Sequence, residues 1–163
     1  MEYHKPVEFK HYPATSERGE AKLTIAVGPV IIEQGKVLLD KHGEDKFWKF
    51  PGGKYIDTFS FIDNARREAK EELGIEIRIL GEPFIYQFER NHDGIPEYVI
   101  LVHYYAKRMV IEKIKPGRDV REYEWFEIEN LPENCAPNIA PAVRHFKKVL
   151  KGKWKKFSQK TTA

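Results

Sequence analysis

The sequence has 163 residues, of which 41% are hydrophobic and 33% charged, and this favours one compact domain over two. No apolar stretch approaches the ~20 residues of a membrane span, no signal-peptide core begins the chain, and the single cysteine excludes an internal disulfide. We therefore expect a soluble, cytoplasmic protein without a membrane partner. The net charge of +3 conceals an acidic body, because residues 144–163 hold eight Lys or Arg and no acid. Binding of an anionic substrate would need a local source of positive charge, such as a bound metal ion.

The two ends of the chain differ from its middle. Residues 1–20 lack sustained periodicity and are predicted to form an extended arm, which could exchange between the chains of a homodimer. Residues 153–163 are predicted to form a basic tail. A solvated lysine cluster is the simpler interpretation of this tail, and binding to nucleic acid, as in RNA processing, is the alternative. The domain between these ends spans residues 21–152.

Alternating apolar residues predict strands over much of this domain. LTIAVGPVII and KVLLDKH, separated by EQG, are predicted to form a β-hairpin with the glycine in its turn. Further strands are predicted at IEIRIL, FIYQFER, YVILVHYYAKR and YEWFEI, with NHDG as a turn. Two helices interrupt them, one from about Phe61 to Leu73 and one from Pro137 to Gly152. This arrangement predicts an α/β fold in which helices pack on the faces of a mixed sheet.

The first predicted helix carries a group of acids. Ser60 provides a signal for its start and Gly74 a signal for its end. At about 100° per residue, Glu68, Glu71 and Glu72 share a stripe roughly a third of the circumference wide, at the border of the apolar face. These acids are therefore expected to be partly buried.

Like charges at such a border are costly unless a cation compensates them. Mg²⁺ binds through a few carboxylates and keeps positions open for phosphate oxygens. The preceding stretch WKFPGG can aim a main-chain carbonyl at this cation, since Gly52 and Gly53 permit close approach to a ligand. Taken separately, the helix could present an exposed acidic face paired with Arg and Lys, and PGG could be an ordinary turn.

Together, these residues resemble the Nudix box, the pattern G-x5-E-x7-R-E-U-x-E-E-x-G-U in which U is apolar. Starting at Gly53, the sequence matches every fixed position except one, up to Ile75. The resemblance implies a Nudix fold, a mixed sheet sandwiched between helices, and a Nudix-type pyrophosphohydrolase. It implies Mg²⁺, or Mn²⁺ in its place, as cofactor. The implied reaction is hydrolysis of a diphosphate bond in a nucleotide or in a nucleoside diphosphate linked to another moiety.

The resemblance also implies roles for the box residues. Glu68 and Glu72 correspond to the principal metal ligands, Glu71 lies beside them as a metal and catalytic residue, and Gly53 supplies a main-chain oxygen. Arg67 corresponds to the residue that orients the glutamates. One or more cations would then neutralise charge on the diphosphate and lower the pKa of the attacking water.

The exception is Phe59, which stands where the pattern has its first glutamate. Phenylalanine neither coordinates a metal nor accepts a hydrogen bond, and loss of such an outer contact commonly costs about 10- to 100-fold in metal affinity or activity. We therefore expect a weakened or altered site. The alternative is a catalytically impaired Nudix-fold domain with a nucleotide-binding or regulatory function.

Several residues outside the box are candidates by position. Asp119 and Glu122 are candidate general bases, Lys41 is a candidate phosphate contact, and Tyr86 and Phe88 could stack on a nucleobase. Each has a simpler alternative, namely a solvated loop charge, a surface lysine, or an aromatic ring of the core. The histidines lack the spacing of a zinc site and are interpreted as ordinary loop or strand residues: His42, His92 and His103.

Overall fold

The structure, a computed structural model, describes residues 15–16 and 19–160. The predicted extended arm lies largely outside the described residues. Its described part forms a short antiparallel pair of strands, β1 (Thr15–Ser16) and β2 (Gly19–Glu20).

A mixed sheet forms the centre of the described chain. Its central strand, β8, pairs in parallel with β3 and antiparallel with β6 and β7, while β3 also pairs antiparallel with β4 and β5, and β4 with β9. The mixed sheet predicted from the sequence is therefore confirmed. The strands are β3 (Lys22–Glu33), β4 (Lys36–His42), β5 (Gly53–Lys54), β6 (Ile77–Ile79), β7 (Phe84–His92), β8 (Ile95–Arg108) and β9 (Val120–Glu127).

Two helices cover opposite faces of this sheet. Alternation along β3 places Ile31 in the cluster with helix α1 (Phe61–Leu73), whereas Val30 and Ile32 join the cluster with helix α2 (Ile139–Lys160). Each face of the sheet thus has its own apolar core. The sandwich of a sheet between helices agrees with the predicted fold.

The bounds of α1 follow the local signals of the sequence. Ser60 Oγ accepts a hydrogen bond from the Asp63 N–H at 3.0 Å, and Gly74 has the left-handed φ of 66° that ends many helices. The Glu72 and Leu73 carbonyls accept hydrogen bonds from the backbone of residues 115–117, so the loop after β8 fixes the end of the helix. The carboxylates on α1 are therefore held by a helix that is fixed at both ends.

The predicted end of the second helix is wrong. The helix continues through Gly152 to Lys160, because a single interior glycine costs only about 1 kcal/mol and its φ is not left-handed here. Most of the predicted basic tail is consequently helical. Within the described residues, neither helix combines the length and the apolarity that crossing a bilayer requires.

The PGG turn, residues 51–53, packs backbone against backbone on β3. A Cβ atom added to Gly28 would lie 2.0 Å from the Pro51 carbonyl oxygen, and one added to Gly52 would lie 2.8 Å from the Gly28 Cα. Gly52 also has a φ of 142°, which L side chains rarely adopt. Both glycines are needed to bring the turn against the strand.

We predict that Gly28→Ala destabilises the protein by more than about 2 kcal/mol, because the backbone of the PGG turn leaves no room for a methyl group. Urea unfolding at 25 °C measures this change. The control is Gly152→Ala, where an added Cβ has no neighbour within 4 Å and should stabilise the helix slightly. Equal effects of the two substitutions would contradict the proposed close contact.

Candidate active site

The acids of α1 do not share one environment. The side chains of Glu68 and Glu72 are only 8% and 11% exposed, whereas that of Glu71 is 58% exposed. Glu68 and Glu72 lie one helical turn apart and face the sheet, and Glu71 projects from the rim. The predicted stripe of three acids is thus two buried carboxylates and one exposed carboxylate.

The PGG turn contacts both buried carboxylates. The Gly52 N–H donates a hydrogen bond of 2.7 Å to Glu72 Oε2. A Cβ added to Gly53 would lie 2.7 Å from Glu68 Oε1, so the glycine leaves room for this carboxylate. The turn and α1 therefore meet at Glu68 and Glu72, which were predicted as the principal metal ligands.

Strand β4 adds two residues to this site. His42 Nε2 lies 3.1 Å from Glu72 Oε1 and 3.4 Å from Asp40 Oδ1, and Asp40 is completely buried. Asp40 was not among the residues predicted for the site, and His42 was predicted to be an ordinary loop or strand residue. A signal was available, since Asp40 follows the buried Leu38 by two residues and therefore shares its face. We call Asp40, His42, Glu68 and Glu72 the polar cluster.

Burial dominates the electrostatics of the polar cluster. It raises the pKa of Glu72 to about 9, and the neighbouring charge of Asp40 acts in the same direction. Burial also raises the pKa of Glu68, against the opposing charge of Arg67, and it raises the pKa of Asp40, against the opposing electrostatic effect of the nearby His42. Ionising these carboxylates together is costly without an additional positive charge.

Arg67 links the buried and exposed acids. Its Nη1 donates to Glu71 Oε2 at 2.6 Å, and its Nη2 donates to Glu68 Oε1 and, at 3.2 Å, to Asn64 Oδ1. The Phe59 ring centroid lies 5.7 Å from the Arg67 Cζ. Among the described residues, no hydrogen-bond acceptor reaches the buried Nε of this arginine. Phe59, at the position of the first glutamate of the pattern, offers this nitrogen no acceptor.

Lys41 and Glu122 form a pair of their own, whereas the main-chain oxygen of Asp119 accepts a hydrogen bond of 3.1 Å from the Gly43 N–H, next to His42. Lys41 Nζ is 3.3 Å from Glu122 Oε2 and 4.2 Å from the centroid of the Trp48 ring, on the sheet face opposite to Asp40. Both Glu122 and Asp119 are exposed. The structure therefore pairs Lys41 with Glu122 and does not bring either of them to the buried glutamates.

A cavity of about 470 Å³ lies on the α2 side of the sheet, next to the PGG turn. Phe88 lines it, whereas Tyr86 packs beside Phe88 with ring centroids 6.2 Å apart. At its base, Asn138 Nδ2 lies 2.8 Å from His103 Nε2, and burial lowers the pKa of His103 to about 4. The cavity also has cationic side chains in its lining: Lys49, Lys54 and Arg90. It can receive a ring system together with anionic groups.

Comparison with known proteins agrees with this architecture. The family model of the NUDIX domain matches residues 22–146. An ADP-ribose pyrophosphatase of Methanocaldococcus jannaschii is 26% identical over 113 residues, which cover 67% of this chain and 64% of that relative's length.

Solved structures show the same fold. A NUDIX hydrolase from Nitrosomonas europaea superposes with a TM-score of 0.66 at 18% identity, covering 78% of this chain and 90% of that one. A C. elegans Ap4A hydrolase in a binary complex has a TM-score of 0.64 at 22% identity, covering 79% and 98%. The family match supports the expected enzyme class, a Nudix pyrophosphohydrolase. The box residues are assembled around the PGG turn, and the family model matches most of the length of this chain. The chain therefore belongs to the Nudix family.

Proposed function

We propose that the protein hydrolyses a diphosphate bond in a nucleotide, or in a nucleoside diphosphate linked to another moiety, with a divalent cation as cofactor. The observation that carries this proposal is the burial of Glu68 and Glu72 against the PGG turn, beside a cavity of about 470 Å³. Two similar proteins, named as an ADP-ribose pyrophosphatase and an Ap4A hydrolase, support a nucleotide as the substrate class.

The residues of the polar cluster fit a divalent cation. Neither oxygen of the buried Asp40 has a hydrogen-bond partner in the described part of the chain, and burial raises the pKa of Glu68 and Glu72. A cation would satisfy these groups and favour their ionised forms. We propose Glu68 and Glu72 as its principal ligands, with Glu71 beside them and the main-chain oxygen of Gly53, and Mg²⁺ or Mn²⁺ as the ion.

The chain itself orients these groups. Arg67 holds the carboxylates of Glu68 and Glu71 in fixed rotamers, and the Gly52 N–H holds that of Glu72. When bound, the cation would supply neutralisation of diphosphate charge and a more acidic water. The substrate would lie across the PGG turn, with its diphosphate at the polar cluster and its base beside Phe88 in the cavity.

Three further assignments remain proposals. Lys41 would contact a phosphate, and Asp119 or Glu122 would act as general base. The hydrogen bond from Lys41 lowers the pKa of Glu122, which keeps this carboxylate ionised but makes it a weaker base. This contact favours Asp119 over Glu122. Tyr86 would pack against the ring of Phe88 and hold it in place for stacking on the base, without contacting the base itself.

We predict that Glu72→Gln lowers turnover by at least about 100-fold, because it removes a proposed metal ligand while preserving the side-chain shape. Release of nucleoside monophosphate from a panel of nucleotides, with Mg²⁺ or Mn²⁺, measures the effect. Glu76→Gln is the control, since Glu76 is exposed and pairs with Lys70 at the surface. Tight nucleotide binding by the native protein without product would favour the regulatory alternative instead.

We predict that Phe59→Glu stabilises the protein by about 1 kcal/mol and raises turnover several-fold, because a carboxylate can accept a hydrogen bond from the unsatisfied Arg67 Nε. Thermal unfolding and the same product assay test both effects. Phe59→Leu is the matched variant, as it removes the ring without adding an acceptor. If both substitutions lower stability alike, packing of the ring on Arg67 outweighs the missing acceptor and the prediction is wrong.

A further inference from the structure

We propose that Asp40 and His42 of β4, together with Glu72, form a binding site for a divalent transition-metal ion. The inference rests on the proposed function in one respect, since it concerns the cation that serves the diphosphate. It adds a nitrogen ligand and a second carboxylate from a strand that precedes the Nudix box. It therefore specifies which chemical class of cation the site takes.

The ligand atoms have the separations that one ion requires. One atom from each of Asp40, His42 and Glu72 can be chosen so that all three lie within 4.8 Å of one another. The contacts from His42 Nε2 measure 3.1 Å to Glu72 and 3.4 Å to Asp40. With metal–ligand bonds of about 2.1 Å, ligand atoms around an octahedral ion lie roughly 3 Å apart when adjacent and about 4.2 Å apart when opposite.

The polar atoms at this point are otherwise unsatisfied. Asp40 is fully buried, and neither of its oxygens, nor His42 Nε2, makes a hydrogen bond within the described residues. A buried polar group without a partner costs roughly 1–3 kcal/mol, and more when it is charged. Asp40 is directed into the cluster and is not needed for any other described side-chain contact. A bound cation would supply the partner that these three atoms lack.

The fold holds the proposed ligands on rigid elements. Asp40 and His42 are two residues apart in β4 and lie on the same face of the strand. A register shift between Lys41 and His42 marks a bulge at the end of this strand. The backbone of Asp40 exchanges two hydrogen bonds with Lys49, at 2.9 and 3.0 Å, which ties the strand to the loop before the PGG turn. The third ligand, Glu72, is held by the Gly52 N–H.

A histidine ligand alters the preference of the site among cations. Mg²⁺ is bound by oxygen ligands, whereas imidazole nitrogen suits transition metals, whose affinity for such sites rises from Mn²⁺ through Co²⁺ to Cu²⁺. The proposed site therefore binds Mn²⁺ and Co²⁺ more tightly than Mg²⁺. Sites made only of the box carboxylates would lack this discrimination.

A competing arrangement uses the same contacts without a metal. In it, a protonated His42 would lie between the carboxylates of Asp40 and Glu72 and serve as an internal cation. The two arrangements differ in one measurable respect. A metal ligand places an imidazole nitrogen in direct contact with the ion, whereas an internal cation is repelled by the ion and is never bonded to it.

Electron spin-echo envelope modulation of the native protein with one equivalent of Mn²⁺ distinguishes these arrangements. We expect modulation from a directly coordinated ¹⁴N nucleus, which changes to the ¹⁵N pattern when only histidine is labelled. The signal should disappear in His42→Gln and persist in His145→Gln, which alters a histidine packed on Phe84 and Phe146. The labelling result does not depend on whether any variant folds.

Titration of Mn²⁺ and Mg²⁺ provides a second measurement. Asp40→Asn and His42→Gln should each weaken Mn²⁺ binding by about 10- to 100-fold, and His42→Gln should affect Mg²⁺ less. Glu44→Gln, an exposed carboxylate just beyond the strand, should leave both affinities unchanged. Bound Mn²⁺ without nitrogen modulation in the native protein would overturn the inference.

The outcomes separate this inference from the proposed function. If the protein hydrolyses nucleotides with Mn²⁺ but the bound Mn²⁺ shows no coupling to nitrogen, the β4 residues are not its ligands as proposed. The proposed function would be unaffected by this result. Nitrogen-coordinated Mn²⁺ in a protein that cleaves none of the nucleotides would have the opposite meaning. The metal site would then be supported and the proposed reaction contradicted.

Discussion

Burial of like charges between a strand, a turn and a helix is the constraint around which this molecule is organised. Asp40, Glu68 and Glu72 are all largely withdrawn from water. Desolvation of an ionised carboxylate costs on the order of several kcal/mol, so the fold must compensate or the groups must remain protonated. The compensation visible within the chain comes from Arg67, from the Gly52 N–H and from His42. This compensation is incomplete, because the oxygens of Asp40 have no hydrogen-bond partner in the described part of the chain.

Local signals predicted the first helix well and the second less well. The start and end of α1 depend on Ser60 and Gly74, whose effects act within one turn of the helix. The end of α2 does not follow from Gly152, because helix propensity is a weak preference that the surrounding structure overrides. The strands were evident from alternation, but the parallel register of β3 on β8 joins residues more than 70 positions apart. No local pattern encodes that pairing.

Only those residues of the site that belong to the spaced pattern of the box could be predicted from the sequence. The box pattern located Glu68, Glu72 and the PGG turn, and the structure brings these together. The helical projection grouped Glu71 with them, yet burial depends on what the helix packs against, and Glu71 lies at the exposed rim. Asp40 and His42 precede the box, so its pattern could not locate them. Alternation indicates that they share a face of β4, but not that α1, which begins about twenty residues later, covers that face.

Phe59, where this chain departs from the box, and the polar residues of β4 act at opposite ends of α1. Before the start of α1, Phe59 offers no hydrogen-bond acceptor to Arg67. The guanidinium donates its hydrogen bonds to Glu68, Glu71 and Asn64 instead. A cation that approaches Glu68 must therefore compete with the Arg67 guanidinium, whose other carboxylate partner in the described part of the chain is the exposed Glu71.

Near the end of α1, Glu72 is restrained by an uncharged N–H donor and faces the two polar residues of β4. The electrostatic balance is thus more favourable to a cation at Glu72 than at Glu68. In the proposed enzyme the loss of the first glutamate would shift the principal metal position towards β4.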